Sequence, residues 1–225
     1  MRATMILAAT VAVGGLFVLV APSHSAYATD YTFTTLDVPG GNNTATYGVN
    51  DAGQIVGSFA SNSGTGVHGF LYSGGVFTQI DVPGGTYTEA FGINNAGQIV
   101  GWYQVDGSGQ FGFVDTGGSF SQIQFGPTYT IAHGINDPGA IVGYWNDVLG
   151  QHGFLDNGGT ITTLDVTVPG ASNTRAYGIN NSGQIVGTFS GGHGFLYSGG
   201  VLTQIDFPGS YGSTQVFGVN DLGWS

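Results

Sequence analysis

The strongest constraint on the fold of this chain is an internal repeat that starts near residue 45. A Gly-Val/Ile-Asn triplet occurs five times, at steps of 44, 42, 44 and 40 residues: 48–50, 92–94, 134–136, 178–180 and 218–220. A Gly-Gln-Ile-Val-Gly element follows at Gly53, Gly97 and Gly183, and Gly139 opens the same element with alanine in place of glutamine. A period of this length is typical of proteins that stack one supersecondary unit many times.

Each unit is predicted to form four short strands, here called first to fourth in chain order. The first ends in the triplet asparagine, and Asn94-Asn95-Ala96-Gly97 is typical of a tight hairpin turn in which glycine supplies a positive φ. The second strand is apolar on consecutive residues, as expected when both faces are covered. The third is His-Gly-Phe-Leu-Tyr from His68, and Gly74-Gly75 turns the chain into the fourth. No segment shows a helical period with caps, so an all-β chain is predicted.

Four strands every 40 to 44 residues favour a β-propeller of four-stranded blades. A parallel β-solenoid is the alternative, although its coils lack such antiparallel hairpins. Four units are complete, beginning near residues 45, 89, 131 and 175. Residues 31–38 are predicted to be an orphan fourth strand and residues 215–220 an orphan first strand. The chain is therefore interpreted as a five-bladed propeller with an incomplete, C-terminally truncated fifth blade; a four-bladed ring with two loose tails is the other interpretation.

The repeated motifs resemble those of the bacterial extracellular repeat family known as HAF, after its His-Ala-Phe triplet. The resemblance rests on the Gly-Ile-Asn, Gly-Gln-Ile-Val-Gly and His-x-Phe-Leu-Tyr elements and covers nearly all of the chain after residue 28. This chain departs from the family in having glycine in the middle of the triplet and Phe111 in place of its histidine in the second unit. The resemblance implies a secreted repeat protein without an assigned activity, and it supplies no catalytic residues.

Residues 1–28 are interpreted as a secretory signal peptide. Arg2 is followed by an apolar run over residues 5–20, and Ala26-Tyr27-Ala28 predicts cleavage after Ala28. An uncleaved anchor is the alternative, but the run is short for a membrane span. Residues 29–225 are then a single repeat domain that is secreted, with the periplasm as the other location, and that has no membrane span. Thirteen acidic residues against Arg175 as its one arginine or lysine make nucleic acid a poor partner.

No motif for catalysis or metal binding stands out from the repeat. The chain has no cysteine, no nucleophile elbow, no phosphate loop and no His-Glu-x-x-His sequence, so no enzyme activity and no cofactor are predicted. His68, His152 and His193 open the third strands of different units and are expected to form structural hydrogen bonds. Calcium is left open because the chain is acidic and rich in loop oxygens, although no Asp-x-Asp-x-Asp loop is present.

Departures from the repeat are the better candidates for binding. One column of the first strand reads Ala45, Glu89, Ile131, Arg175 and Gln215, and it holds the only glutamate of the chain. Glu89 and Arg175 are predicted to bind a ligand at the mouth of an axial channel, with Phe91 and Tyr177 stacking on a sugar ring. The predicted function is a non-catalytic binding or surface-associated module whose partner is an extracellular glycan or protein. A propeller glycoside hydrolase or lyase, using Glu89 and an aspartate, is the alternative.

Overall fold

A computed structural model describes residues 33–62, 64, 66–106, 109–167, 172–208 and 213–222. The predicted signal peptide, residues 1–28, lies outside the described residues. Residues 33–35 contain no regular secondary structure and belong to a separate compact part of the chain, which ends at Thr35. The fold described below is that of the part that begins at Leu36.

The described residues contain sixteen strands and no helix, so the all-β prediction is confirmed. The strand bounds are, for the first unit, β1 (Gly41–Val49), β2 (Ile55–Ser61), β3 (Val67–Ser73) and β4 (Val76–Ile80); for the second, β5 (Tyr87–Ile93), β6 (Gln98–Gln104), β7 (Gln110–Thr116) and β8 (Ser119–Ile123); for the third, β9 (Tyr129–Ile135), β10 (Ile141–Asp147), β11 (Gly150–Asn157) and β12 (Thr160–Thr163); and for the fourth, β13 (Arg175–Ile179), β14 (Ile185–Phe189), β15 (His193–Ser198) and β16 (Val201–Ile205).

Each unit is a four-stranded antiparallel sheet in which the strands pair in chain order. The first three units join into one sheet through single parallel pairs, Val67 with Tyr87 and Gln110 with Tyr129, and the fourth unit forms a second sheet. Every described ladder longer than one pair is antiparallel. A parallel β-solenoid is excluded by this pairing.

The hairpin between the first and second strands has the predicted turn chemistry. Gly97 has a φ of +78°, and its N–H donates to the Asn94 carbonyl oxygen (3.0 Å). The Asn94 side-chain oxygen accepts the N–H of Gln98 (2.9 Å), which closes the turn from inside. Because a side chain at φ +78° is strained, glycine is required at this position.

The same asparagine also joins its unit to the next one. Its side-chain NH₂ group donates to the main-chain carbonyl oxygen of the following triplet asparagine. The distances are 3.1 Å for Asn50 to Asn94, 3.1 Å for Asn94 to Asn136, 3.1 Å for Asn136 to Asn180 and 2.9 Å for Asn180 to Asn220. Successive first strands are therefore held side by side by one repeated contact.

A glycine in the second strand lets the first strand approach closely. A methyl group at Gly101 would lie 1.9 Å from the Glu89 carbonyl oxygen and 2.9 Å from the Phe113 ring. The first strand carries a register shift between Ala90 and Gly92 at this point, as expected for a β-bulge. The phenylalanine of the third strand fills the space above the glycine, and it is fully buried in every unit: Phe70, Phe113, Phe154 and Phe195.

The two predicted orphan strands are wrong as strands. Residues 33–38 and 213–220 are not in a ladder, since no described strand pairs with either segment. Both still occupy repeat positions. The Val38 N–H donates to the Thr44 hydroxyl (3.1 Å), as the Val82 N–H does to the Thr88 hydroxyl (3.4 Å) at the end of the first unit. A segment can therefore occupy the repeat position of a strand without forming one, because a strand also needs hydrogen bonds to a neighbouring strand.

The predicted closure into a propeller remains a prediction. Each first-strand glycine from the first unit to the fourth approaches the next first strand; a methyl group at Gly48 would lie 2.6 Å from the Phe91 carbonyl oxygen. A methyl group at Gly218 would meet no atom of the described residues within 4 Å. The approach seen at Gly48 is therefore not repeated at Gly218.

Gly134→Ala and Gly218→Ala form a matched test of this packing. A methyl group at Gly134 would lie 2.8 Å from the Tyr177 carbonyl oxygen, so we expect Gly134→Ala to lose about 1–3 kcal/mol of unfolding free energy through overpacking. Gly218→Ala should be close to neutral. Urea unfolding of both variants measures the difference, and equal losses would contradict the packing described here.

Candidate functional site

The first strands of the four units and residues 217–219 line one cavity of about 560 Å³, here called the central cavity. Residues 46–49, 91–93, 133–135, 177–179 and 217–219 line it. One aromatic ring per segment points into this space, and the rings contact in chain order: Tyr47, Phe91, His133, Tyr177 and Phe217, with centroids 4.9, 4.4, 4.9 and 5.2 Å apart. Of the predicted binding residues, Phe91 and Tyr177 are members of this aromatic row.

His133 is an uncharged member of the aromatic row at neutral pH. Its ring stacks on Phe91 with an interplanar angle of 5°. Burial, followed by the positive charge of Arg175, lowers the pKa of His133 to about 4. The central cavity therefore presents a stacked, neutral surface, and it also lies within the electrostatic reach of Arg175.

Glu89 is held by three neighbours from the first two units. Its Oε2 accepts the Trp102 indole N–H (2.8 Å), and its Oε1 accepts the Tyr87 hydroxyl (3.1 Å) and, more weakly, the Ser58 hydroxyl (3.4 Å). Tyr87 and Trp102 stack on each other with centroids 4.8 Å apart. Burial, followed by the charge of Glu89 and its hydrogen bond, raises the pKa of Tyr87 to about 12. This group, the Glu89 site, combines a fixed carboxylate with two half-buried aromatic rings.

Arg175 lines a different space, the Arg175 cavity, of about 490 Å³. Its guanidinium carbon lies 5.2 Å from the centre of the Tyr144 ring, and its Nε donates to Gln151 Oε1. The Gln151 amide in turn donates to the Tyr129 hydroxyl. The other polar side chains of the lining are amides and hydroxyls from the third and fourth units and from residues 213–215: Asn146, Asn173, Thr188, Ser190, Ser213, Thr214 and Gln215.

Tyr144 connects the two charged candidates. Burial is the largest of several effects that together raise the pKa of Tyr144 to about 12; among them the charge of Arg175 opposes the rise and the charge of Glu89 contributes to it. Both charges thus act on one hydroxyl group. The four predicted residues are divided between three places, however: Phe91 and Tyr177 in the central cavity, Arg175 in its own cavity, and Glu89 outside both linings.

Sequence reasoning missed the side chains that hold the two charges. Trp102 is the cross-strand partner of Glu89, and Tyr144 is the cross-strand partner of Ile131, one unit further on. The signal that could have found them is the second-strand position opposite the Glu89 column. It varies as much as that column does, reading Ser58, Trp102, Tyr144 and Thr188.

The three repeated histidines each bind an aspartate of the same unit. His68 contacts Asp81 at 2.8 Å, and the equivalent distances are 2.8 Å for His152 to Asp165 and 2.9 Å for His193 to Asp206. In the second unit Phe111 replaces the histidine, and Gln124 stands where the aspartate would be. Each pair ties the start of the third strand to the end of the fourth, which is the structural role expected from the sequence. Within the described ranges no three His, Cys, Asp or Glu side chains group to hold a metal.

Comparisons with known proteins add little to this picture. No protein-family model and no curated protein matches the sequence. Among solved structures, the chain is similar to a mutant Aleuria aurantia lectin in complex with Fucα1-6GlcNAc, at a TM-score of 0.45 and 18% identity over 79% of this chain and 66% of that one. It is also similar to a mutant of AofleA from Arthrobotrys oligospora, at 0.42 and 13% identity over 83% and 64%. These values are too low to carry the ligands of those proteins over to this chain. No helix in the described part of the chain is long and apolar enough to cross a membrane.

His133 and His152 should affect acid stability with opposite signs. The pKa of His133 lies below its ordinary value of 6.5, so the unfolded chain binds more protons and stability falls as the pH drops from about 6.5 to 4. Burial lowers the pKa of His152, but its hydrogen bonds with Asp165 and Asp147 outweigh this and raise it, so its contribution is present at low pH and is lost as the pH rises.

Phenylalanine is the matched replacement at both positions, because it occurs in both columns of the repeat. When the pH is lowered from 7 to 4.5, we expect the melting temperature of His133→Phe to fall less than that of the wild type. The melting temperature of His152→Phe should fall more. Calorimetry at both pH values measures this difference. The same pH dependence in all three proteins would contradict the assignment.

Proposed function

We propose that this protein is a secreted, non-catalytic module that binds carbohydrate across the Glu89 site and the Arg175 cavity. The observation that carries the proposal is the Glu89 site, where one carboxylate is fixed against two stacked aromatic rings. Secretion is supported by the sequence of residues 1–28 and by the HAF resemblance.

The Glu89 site has the two features that sugar recognition requires. The C–H face of a sugar ring packs on an aromatic surface, and Tyr87 and Trp102 supply one that is half-buried and already ordered. Sugar hydroxyls need acceptors of fixed direction. The Oε2 atom of Glu89 accepts one described bond, from Trp102, and a carboxylate oxygen can accept a second bond from a ligand.

The Arg175 cavity supplies donors where the Glu89 site supplies acceptors. Its volume falls within the range of about 300–1,000 Å³ that is usual for small-molecule sites. Arg175 has its Nε occupied by Gln151, and its planar group lies against Tyr144, which limits its side-chain freedom before a ligand arrives. Amides and hydroxyls around it are able to donate to or accept from uncharged hydroxyl groups.

The contacts of Glu89 favour binding over hydrolysis. A glycosidase of the usual type needs two carboxyl groups about 5–10 Å apart, one of them with a raised pKa. All hydrogen bonds described for Glu89 come from uncharged donors, namely Trp102, Tyr87 and Ser58. Among the described residues, the lining of the Arg175 cavity has no aspartate or glutamate. The described contacts therefore give Glu89 hydrogen-bond donors but no partner carboxyl group, and this favours a binding role.

Two substitutions test the proposal once a glycan array has identified a ligand. Glu89→Gln replaces one charged acceptor oxygen by a donor, and Arg175→Gln removes the planar charged donor. Because a hydrogen bond to a charged group contributes about 1.5–3 kcal/mol, each variant should weaken binding by at least about tenfold in titration calorimetry. Trp102→Phe keeps a ring but removes the bond to Glu89, so it should also weaken binding.

Asp37→Asn is the control for Glu89→Gln, because it removes one negative charge from an exposed residue outside both sites. It should leave affinity unchanged. If Glu89→Gln and Arg175→Gln bind as well as the wild type, the site lies elsewhere, with residues 106–110 as the next candidate. Failure of the wild type to bind any glycan on the array would contradict the carbohydrate proposal itself.

A further inference from the structure

Arg175 carries a positive charge that no carboxylate of the described residues neutralises. The ion pairs within the described ranges all join a histidine to an aspartate, and none includes Arg175. The full sequence has thirteen acidic residues against two arginines and no lysine, so acidic side chains are abundant in this protein. Because a half-buried charge is costly without a partner of opposite sign, Arg175 is a candidate to bind an anionic group of a ligand.

The described partners of Arg175 are amide and phenol groups. Its Nε donates to Gln151 Oε1, and its guanidinium group lies over the Tyr144 ring. Burial has the largest effect on the pKa of Arg175 and lowers it, but a hydrogen bond with the Tyr177 hydroxyl and the other neighbouring tyrosines together outweigh burial and raise it. These contacts hold the guanidinium group in place and leave its charge available to a ligand.

Asp147 is the acidic residue next in sequence to the Arg175 cavity, and other groups hold it. It directly follows Asn146 of the cavity lining. Its Oδ1 accepts the Leu149 N–H (2.7 Å) and contacts His152 Nε2 (3.2 Å). The hairpin between β10 and β11 therefore binds its own carboxylate. Since the described lining contains no aspartate or glutamate, Arg175 supplies the only charge in it.

Glu89 and Arg175 influence a common neighbour without pairing with each other. Both affect the pKa of Tyr144, in opposite directions, yet no ion pair of the described residues joins them. Glu89 accepts its hydrogen bonds from uncharged donors, among them Trp102. An anionic group is attracted by Arg175 and repelled by Glu89, so the two charges set the direction in which a charged ligand lies.

We propose that the Arg175 cavity binds the carboxylate of a uronic acid residue in a glycan, while Glu89 accepts hydroxyl groups of the same glycan. This inference rests on the proposed function and names its ligand class. A carboxylate is planar, has two acceptor oxygens and carries a negative charge, so it matches a guanidinium group better than a sugar hydroxyl does. The amides and hydroxyls of the lining then bind the uncharged hydroxyl groups of the ring.

Matched oligosaccharides test the ligand class. Short oligosaccharides of galacturonic, glucuronic and mannuronic acid are titrated into the full chain by calorimetry, each beside the same oligosaccharide with its carboxyl groups reduced to primary alcohols. The two members of a pair differ only in the charged group. Because a hydrogen bond between two charged groups is much stronger than one between neutral groups, we expect at least one acid to bind about tenfold or more tightly than its reduced form.

Variants of Arg175 show whether this preference arises in the cavity. Arg175→Gln removes the charge and should bring the ratio of the two affinities close to one. Arg175→Lys keeps the charge but lacks the planar donor group, so it should lower the ratio if Arg175→Gln does not fold. Glu89→Gln should weaken binding of both members of a pair and should keep or increase the ratio, because it removes the carboxylate that repels the acid. Both affinities are measured on one protein, so the ratio does not depend on the fraction that is folded.

The outcomes separate this inference from the proposed function. An acid preference that is lowered by substitution of Arg175 and kept in Glu89→Gln supports it. Equal binding of every acid and its reduced form overturns the inference and leaves the carbohydrate proposal standing. An acid preference that neither Arg175 variant lowers also overturns it, since the carboxylate would then bind elsewhere. Absence of binding to any glycan overturns both.

Discussion

The fold depends on the asparagine that directly follows each first strand. Its side-chain oxygen closes the hairpin of its own unit by accepting the N–H four residues on, and its NH₂ group donates to the carbonyl of the next unit. Local turn geometry and lateral spacing are therefore set by one side chain. Because both bonds are buried or half-buried, losing that side chain would leave main-chain groups of two units without partners.

This shared contact explains why function is expected where the repeat varies. Positions that hold the units together are the same in each unit and cannot form a unique site. Glu89 and Arg175 stand in a column that takes no part in the repeated asparagine contacts, and the second-strand column opposite, with Trp102 and Tyr144, varies with it. Both columns can therefore change from unit to unit without altering the contacts that hold the units together.

Most of the strand pattern was predictable because its causes are local. The four strands predicted for each unit are present in all four units, and the turn glycine Gly97 has the expected positive φ. Prediction failed at residues 33–38 and 215–219, where a strand-like sequence forms no strand in the described part of the chain. For the site, Glu89 and Arg175 could be selected as departures from the repeat, whereas Trp102 and Gln151 could not, because their contacts cross strands and units.

The sequence by itself determined the unit: its four strands, its two glycine turns and its buried phenylalanine, since these follow from φ preferences and from residue alternation within about 40 residues. Only the tertiary structure decided which columns meet. The bulge beside Gly92 shifts the register between the first and second strands. The lateral spacing of the units then brings Tyr144 within reach of the charges of both Glu89 and Arg175. It also places Arg175 in a cavity separate from the central cavity. Register and lateral spacing depend on contacts between residues far apart in the chain, and a repeat pattern alone does not contain them.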